Sequence, residues 1–395
     1  MQQKIQGGSG GNAYAPRFKQ GATIVPCAFY FIEPQGGAIN VATDVSGRVV
    51  NIRTHPLALE GAKKPWDGIS LTGQIQGRYL YRTALARNVV PFAMLNPPVV
   101  ALPLVADGDD NDDKGADVAT LAGARKWRLL DSAELTERGD IEAARWFNQC
   151  EKLWDERRSD SAKKQKASLT DWLDWQSKLT QQPVNAKWAV MYTASGTDAS
   201  AVALDICRDS CRLLADHETY MLFVTSEDEA RFVEGYLNCG YVNRAIKEFQ
   251  SRGLFGPRDV HKKILELPWP EFSRSSPSHR QLVALGNLAA QAVQDLLGTQ
   301  QDLELDPHSL ARLRTRIRAE LAPLMGQIDE LVEAISTGKD LVDSQKSWQQ
   351  LLRNDRPTLP GADSAELSVF LQTERQTWRH REPSIDKGRE CRRFC

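Results

Sequence analysis

The sequence predicts an α+β fold: a β-rich part with helical insertions, followed by a C-terminal helical segment. Three observations predict it. Short runs rich in β-branched and aromatic residues, broken by Gly and Pro, fill residues 21–105. Between Asp131 and Leu179 the pattern turns helical, with Trp146, Trp154, Trp172 and Trp175 spaced through charged residues. From Leu310 the apolar positions Leu313, Ile317, Leu321, Leu324, Ile328, Leu331 and Ile335 recur every three or four residues, the seam of a packed helix pair.

Taken in order, residues 1–16 read as a flexible leading segment, because their GGSGG has neither a strand before it nor a helix after it. After Gly21, ATIVPCAFYFIE predicts one or two short strands around Pro26, ended by Gly36-Gly37. Strands are expected over Arg48–Arg53 and Val99–Val105, with Gly77–Arg82 between them and an acidic loop, Asp107–Asp113, after them. In Gly77–Arg82, Arg78 and Arg82 alternate with Tyr79 and Tyr81, so one pair faces solvent and the other the core. The four tryptophans read as packing anchors. Strand Lys187–Tyr192 runs into Ser195-Gly196-Thr197, and strand Thr219–Val224 stops at Thr225-Ser226. Glu227–Cys239 then reads as an amphipathic helix, with Ser226 placed to cap it and Glu229 three residues on. Pro268 and Pro270 close the mixed region, helix resumes over His279–Leu297, and Pro323 must kink or split the last apolar run. The resulting organisation is a mixed region over 17–272 with a helical insertion at about 131–180, a helical packing region over 279–350, and a loosely ordered tail over 351–395. No internal repeat is found.

With 395 residues, 41% hydrophobic and 26% charged, the chain has room for two or three modest cores. It has no run of about 18 apolar residues and no signal-peptide core at its start, so a cytoplasmic location without membrane contact is expected. Seven dispersed cysteines, an odd number, suit a reducing compartment. A net charge of −1 means that any nucleic-acid site must be local. Tyr241–Lys263 is such a place: six Arg or Lys stand against one Glu and one Asp. Screening over about 8–10 Å lets that excess act on a nearby phosphate.

The ligand sets of common enzymes are missing. No Gly-rich turn stands between a strand and a helix, so no nucleotide, dinucleotide or S-adenosylmethionine cradle is assigned. The six histidines are scattered, and neither Cys207-x3-Cys211 nor Cys391-x3-Cys395 has a second pair for zinc. There is no GxSxG elbow. Glu227-Asp228-Glu229 begins a helix, where negative charge suits the dipole. Asn96-Pro97-Pro98-Val99 resembles the Asn-Pro-Pro-aromatic motif of adenine methyltransferases, but Val99 has no ring to stack on an extruded base. A turn between strands is expected there. No catalytic, cofactor-binding or metal-binding residue is therefore predicted.

Positive charge, glycine and loop signals coincide in Phe249–Pro270. Gly253 and Gly256 permit close backbone approach, while Arg252, Arg258, Lys262 and Lys263 offer cationic ends for phosphates, or, for arginine, for the guanine edge. A solvated turn leading into Ile264-Leu265 is the other reading of the same residues. His261 lies inside the segment, and Ser195 and Thr197 are further candidates for sugar or phosphate contact, equally readable as a hairpin turn.

The string IKEFQSRGLFGPRDVHKKILELPWPEF (Ile246–Phe272), preceded by DEARFVEGYLNCGYVNR, resembles the C-terminal region of large N6-adenine DNA methyltransferases of bacterial restriction and phage-defence systems. Stretches Gly21–Glu33, Gly77–Pro98, Asp171–Gln182 and Tyr192–Asp205 are similar to that region in the same order. More distantly the chain resembles the target recognition domains of restriction specificity subunits. The resemblance spans roughly Arg17–Leu285. It implies a β-rich target-recognition domain that enters a DNA groove and positions a catalytic domain. Two residues depart from the family: Cys27 stands where Arg is frequent, and Asp198 where Asn is common.

The function so implied is the DNA-binding specificity portion of an adenine-specific DNA methyltransferase, with double-stranded DNA and a separate methyltransferase subunit as partners. The cofactor loop and the Asn-Pro-Pro-aromatic motif are missing, so methyl transfer by this chain alone is not expected. S-adenosylmethionine is expected only on a missing or separate catalytic domain. Two other readings stay open. One is an inactive, truncated gene remnant, to which the CRRFC ending points; the other is an autonomous nuclease, which magnesium-dependent DNA cleavage would reveal.

Overall fold

Three hydrophobic clusters organise the chain, and their membership follows from strand alternation. The computed structural model describes residues 11–36, 48–60, 62–106, 127–182, 187–206, 213–253, 256–298 and 307–338, the side chains of 252–257 and 307 excepted. The acidic loop Asp107–Asp113, Cys207, Cys211 and the tail from 351, with its CRRFC ending, lie outside the described residues.

The first half contains β1 (Lys19–Gln20), α1 (Cys27–Tyr30), β2 (Ile32–Pro34), β3 (Val49–Thr54), α2 (Pro56–Glu60), β4 (Thr72–Gln76), β5 (Leu80–Ala84), β6 (Val89–Val90), β7 (Ala93–Met94), β8 (Val99–Ala101), β9 (Leu104–Ala106) and β10 (Trp127–Leu129). Helices α3 (Ser132–Glu137), α4 (Ile141–Arg157), α5 (Asp160–Lys164) and α6 (Leu169–Leu173) follow. The second half contains β11 (Trp188–Thr193), β12 (Ala201–Asp205), β13 (Leu213–Ala215), β14 (Thr219–Val224), α7 (Glu227–Asn238), α8 (Gly240–Ile246), β15 (Ser251–Gly253), β16 (Gly256–Arg258), α9 (Pro277–Leu297), α10 (Pro307–Glu320) and α11 (Ala322–Thr337). This is a mixed α+β fold. No described helix is long and apolar enough to cross a membrane.

One cluster joins the small sheets of the first half to α4, through Phe29, Ile52, Tyr79, Val100, Trp146 and Leu173. Tyrosine, not arginine, is the inward pair of the Gly77–Arg82 stretch: Tyr79 and Tyr81 are buried. Their hydroxyls donate to Asp140 and to the Leu104 carbonyl, each at 2.6 Å. The tryptophans pack as anchors. Trp146 Nε1 donates to the Phe29 carbonyl (3.1 Å), Trp154 Nε1 to the Ala167 carbonyl (3.2 Å), and Trp66 stacks on Trp154 at 5.5 Å.

The second half is built on a four-stranded antiparallel sheet in the order β1-β14-β11-β12. Alternation sends Val190 and Tyr192 of β11 to a cluster that includes Phe232, Trp269, Leu282, Ile317 and Ile328 of the helical side. Ala189 and Met191 face the opposite cluster, with Val89, Val202 and Met221. Strand β12 is the sheet edge, and α7 and α8 cover it with side chains. Glu234, Asn238 and Asn243 accept the N–H groups of Ala203 (2.7 Å), Ala201 (2.9 Å) and Ala199 (2.7 Å). The spacing allows this because four helical residues rise about 6.0 Å and two strand residues about 6.6 Å. All three side chains are buried, so groups that an edge strand would expose to water are satisfied inside the protein.

Several boundaries differ from the sequence reading. Around Pro26 the expected strand is replaced by α1, with strand only at Ile32–Pro34. Ala28, Phe29 and Tyr30 are consecutive and all buried, which a strand between a core and solvent cannot achieve but a helical turn wedged in a core can. The run Val99–Val105 splits into β8 and β9, which join different sheets, at Leu102-Pro103, since proline cannot donate to a ladder. Residues 11–16 of the leading segment are packed: Asn12 Nδ2 donates to the Leu267 carbonyl (2.9 Å) and Tyr14 is buried. Elsewhere expectation and structure agree. Ser226 Oγ accepts the Glu229 N–H (3.3 Å) at the start of α7, Pro323 stands in the first turn of α11 after the break at Leu321, and Asn96–Pro98 is a turn between β7 and β8.

Candidate nucleic-acid interface

Two chain segments far apart in sequence meet at the end of the central sheet. The first is the β11–β12 connection. Ala194 N–H donates to the Glu218 carbonyl and Ala194 carbonyl accepts the His261 N–H, each at 2.8 Å. On the other side Ala199 N–H donates to Asn243 Oδ1 (2.7 Å) and its carbonyl accepts from Arg318 (2.6 Å). Ser195–Asp198 is thus a four-residue tip with both ends tied down. Gly196 sits in it at φ 128°, where a side chain would strain the backbone.

The second segment begins at Lys247. Strands β15 and β16 pair Ser251 with Arg258 and Gly253 with Gly256 in a short hairpin, with residues 254–255 outside those described. Asp259 (φ 70°) and His261 (φ 39°) then adopt left-handed backbone, and the chain turns through Lys263–Glu266 into the core. The Tyr192 hydroxyl holds this bend from below by donating to the His261 carbonyl (2.9 Å).

Side chains connect the two segments. Lys247 Nζ donates to the Thr197 carbonyl (2.6 Å) and forms an ion pair with Asp198, while Gln250 Nε2 donates to the Thr197 carbonyl (3.1 Å). Ser195, Thr197, Arg258, His261, Lys262 and Lys263 are therefore neighbours on one face. Thr197, Arg258, His261 and Lys262 are exposed, and Ser195 and Lys263 half-buried. The backbones of Arg252, Gly253 and Gly256 belong to the same hairpin, while the Arg252 side chain lies outside the described residues. Lys247, Gln250 and Asp198 were not among the sequence candidates. Lys247 was visible only as part of the basic excess, because its partner stands 49 residues away.

Charge on this face is partly compensated from within. Lys247 pairs with Asp198, Lys263 with Glu266 (3.0 Å), and Arg258 Nε approaches Asp259 at 3.8 Å. Lys262 makes no ion pair among the described residues. Pairs this exposed are worth about 0–1 kcal/mol each, so an incoming phosphate can exchange with the carboxylate. Beneath the tip, Arg314 donates to the Val89 carbonyl (2.7 Å), and Arg318 to Ser200 Oγ (3.3 Å) as well as to Ala199. Burial pushes both guanidinium groups down, Arg314 to about 10. Their hydrogen bonds go to the protein, which makes them supports of the loop and not part of its face. No group of three or more His, Cys, Asp or Glu among the described residues could hold a metal ion.

No protein-family model matches the chain, and no curated protein matches it. Among solved structures it is similar to the Type IIL restriction-modification enzyme MmeI in complex with DNA, at 12% identity over 95% of this chain and 37% of that one, with a TM-score of 0.43. It is also similar to the type IIG restriction endonuclease BpuSI, at 11% identity over 82% of this chain and 31% of that one, with a TM-score of 0.28. The chain spans 37% and 31% of the lengths of those two proteins.

Proposed function

We propose that this chain is the DNA-binding specificity portion of an adenine-specific DNA methyltransferase of a restriction-modification or phage-defence system. One observation carries the proposal. The tip Ser195–Asp198 and the bend Ser251–Lys263, distant in sequence, share hydrogen bonds on one face that presents Arg258, His261, Lys262 and Lys263. Cations on a rigid, glycine-containing loop suit phosphate contact, and the short tip beside them suits a groove. The ordered likeness of this stretch to methyltransferase recognition regions supports the same reading. Methyl transfer then belongs to a separate catalytic polypeptide that binds S-adenosylmethionine, with this chain choosing the site.

The test is binding to methylated and unmethylated duplex DNA at 50 and 200 mM salt, with and without the candidate methyltransferase subunit. Binding that weakens with salt, and weakens further on Arg252→Ala or Arg258→Ala, is expected. An affinity that stays flat across that salt range rejects the reading.

A further inference from the structure

Where the first half of the chain meets the start of β14, the fold leaves an open cleft of about 690 Å³, its mouth included. Ile24, Val25, Phe31, Leu57, Leu85 and Pro98 give it apolar walls. Its polar end is formed by His55 and by the Asp216-His217-Glu218 turn. The walls come from four separate stretches of chain, held together by the Ala22–Asp216 bridge and by His217 N–H donating to the Ala22 carbonyl (2.9 Å).

Both imidazoles are oriented by one ring nitrogen. His55 Nδ1 accepts the Leu57 N–H (3.2 Å), which puts the ring proton on Nε2. His217 Nδ1 lies 2.8 Å from Asp216 Oδ1, which also accepts the Glu218 N–H (3.0 Å). Asp216 is buried and fully engaged by these two bonds. His217 is left with Nε2, an acceptor in the neutral ring and a donor in the charged one, and its hydrogen bond to Asp216 raises its pKa against the opposing effect of burial. The cleft therefore offers one fixed donor and one group able to act either way, at the end of an apolar slot. An anion is disfavoured by Asp216 and Glu218, and a simple lipid chain would leave the imidazoles unpaired. A neutral, planar heteroaromatic ring with donors and acceptors on its edge satisfies both the walls and the end.

The cleft also adjoins the candidate interface. The Glu218 carbonyl accepts from Ala194, whose own carbonyl accepts from His261, so cleft rim and DNA-facing bend are two backbone hydrogen bonds apart. At strand-like spacing of about 4.8 Å per step this is roughly 10 Å, within reach of a base swung out of a duplex. We infer that the cleft receives one unstacked nucleobase of a nucleic acid held on the neighbouring face, an inference that rests on the proposed DNA-binding role.

Two measurements test it. Saturation-transfer NMR with free adenosine, guanosine, cytidine and thymidine probes the cleft without DNA. A duplex carrying 2-aminopurine opposite an abasic site probes extrusion, because unstacking of that base raises its fluorescence. The expected result is saturation transfer to at least one nucleoside and a several-fold fluorescence rise. Leu57→Trp, which fills the cleft from a half-exposed position, should remove both while changing duplex affinity less than twofold. His55→Ala, which removes the fixed donor without adding bulk, should weaken both. If the protein binds the duplex but neither signal appears, or if Leu57→Trp leaves both intact, the inference is overturned and the interface proposal stands. If no duplex binds, the interface proposal falls. Nucleoside transfer removed by Leu57→Trp would then keep the cleft as a nucleobase site, and its absence would overturn that as well.

Discussion

Replacing Asp198 by Asn changes the charge of the proposed DNA face by one unit while preserving its hydrogen-bonding shape. Asp198 pairs with Lys247, and both side chains are about one-third exposed (33% and 30%). The Asn side chain keeps an oxygen acceptor, and the Thr197 carbonyl still accepts from Lys247 at 2.6 Å, so the lysine stays on the face but loses its compensating charge. Loss of a pair this exposed costs less than about 1 kcal/mol of stability. A released ammonium about 4 Å from a phosphate gains about 1 kcal/mol in a water-like dielectric, which is roughly fivefold in affinity. If Lys247 then neutralises one phosphate, the slope of log K against log salt steepens by about 0.9. Raising salt from about 50 to about 200 mM should then cost the variant roughly 3.5-fold more affinity than the parent. The assay is fluorescence anisotropy of a labelled duplex across that range. Tighter low-salt binding cannot come from partial unfolding, which gives the prediction its force. An unchanged slope, or weaker binding at low salt in a variant with normal thermal stability, would refute the placement of Lys247 on a phosphate-contacting surface.

Asn238→Leu should destabilise the chain by about 2–5 kcal/mol, because it strands both the N–H and the carbonyl of Ala201, to be read from the urea midpoint. Trp154→Ala, which removes the ring stacked on Trp66 and the donor to Ala167, should cost about 3–5 kcal/mol by the same measurement. His279, whose Nδ1 accepts the Ser273 N–H at 3.0 Å, has its pKa lowered from 6.5 by burial. Below pH 6.5 the unfolded chain therefore binds the proton more readily than the folded one. The stability this residue contributes is complete above that pH and is lost as pH falls through the folded pKa. Urea titrations between pH 5 and 8 should show that loss in the parent and a flatter profile in His279→Gln; identical profiles would exclude His279 as its source.

Where local chemistry decides structure, the sequence was readable. Ser226 with Glu229 marks the start of α7, and Pro323 marks the break before α11; each signal acts within one helical turn. The period-2 burial of β11 was readable for the same reason. Residues 27–30 were not, because their aromatic composition favours strand while the surrounding core demands three consecutive buried side chains. The edge cover of β12 was hidden in another way. Glu234, Asn238 and Asn243 look like a solvated helix face until the strand is placed beside them. At the candidate interface, the basic excess and the glycines were visible along the chain. The pairing of Lys247 with Asp198 and the grip of Tyr192 on His261 depend on contacts across 49 and 69 residues, which no local pattern encodes.

The two alanines that bracket Ser195–Asp198 define natural cut points for exchanging the tip. Ala194 and Ala199 have both backbone groups engaged by other elements, and neither contributes more than a methyl group to the face. A replacement peptide inserted between them inherits fixed end positions and directions whatever its own residues are. Variation confined to these four positions would alter what the chain meets outside without disturbing the sheet behind it. A library randomised at residues 195–198 should therefore retain parental thermal stability far more often than one randomised at 199–203, where every second N–H is already assigned to a helix side chain.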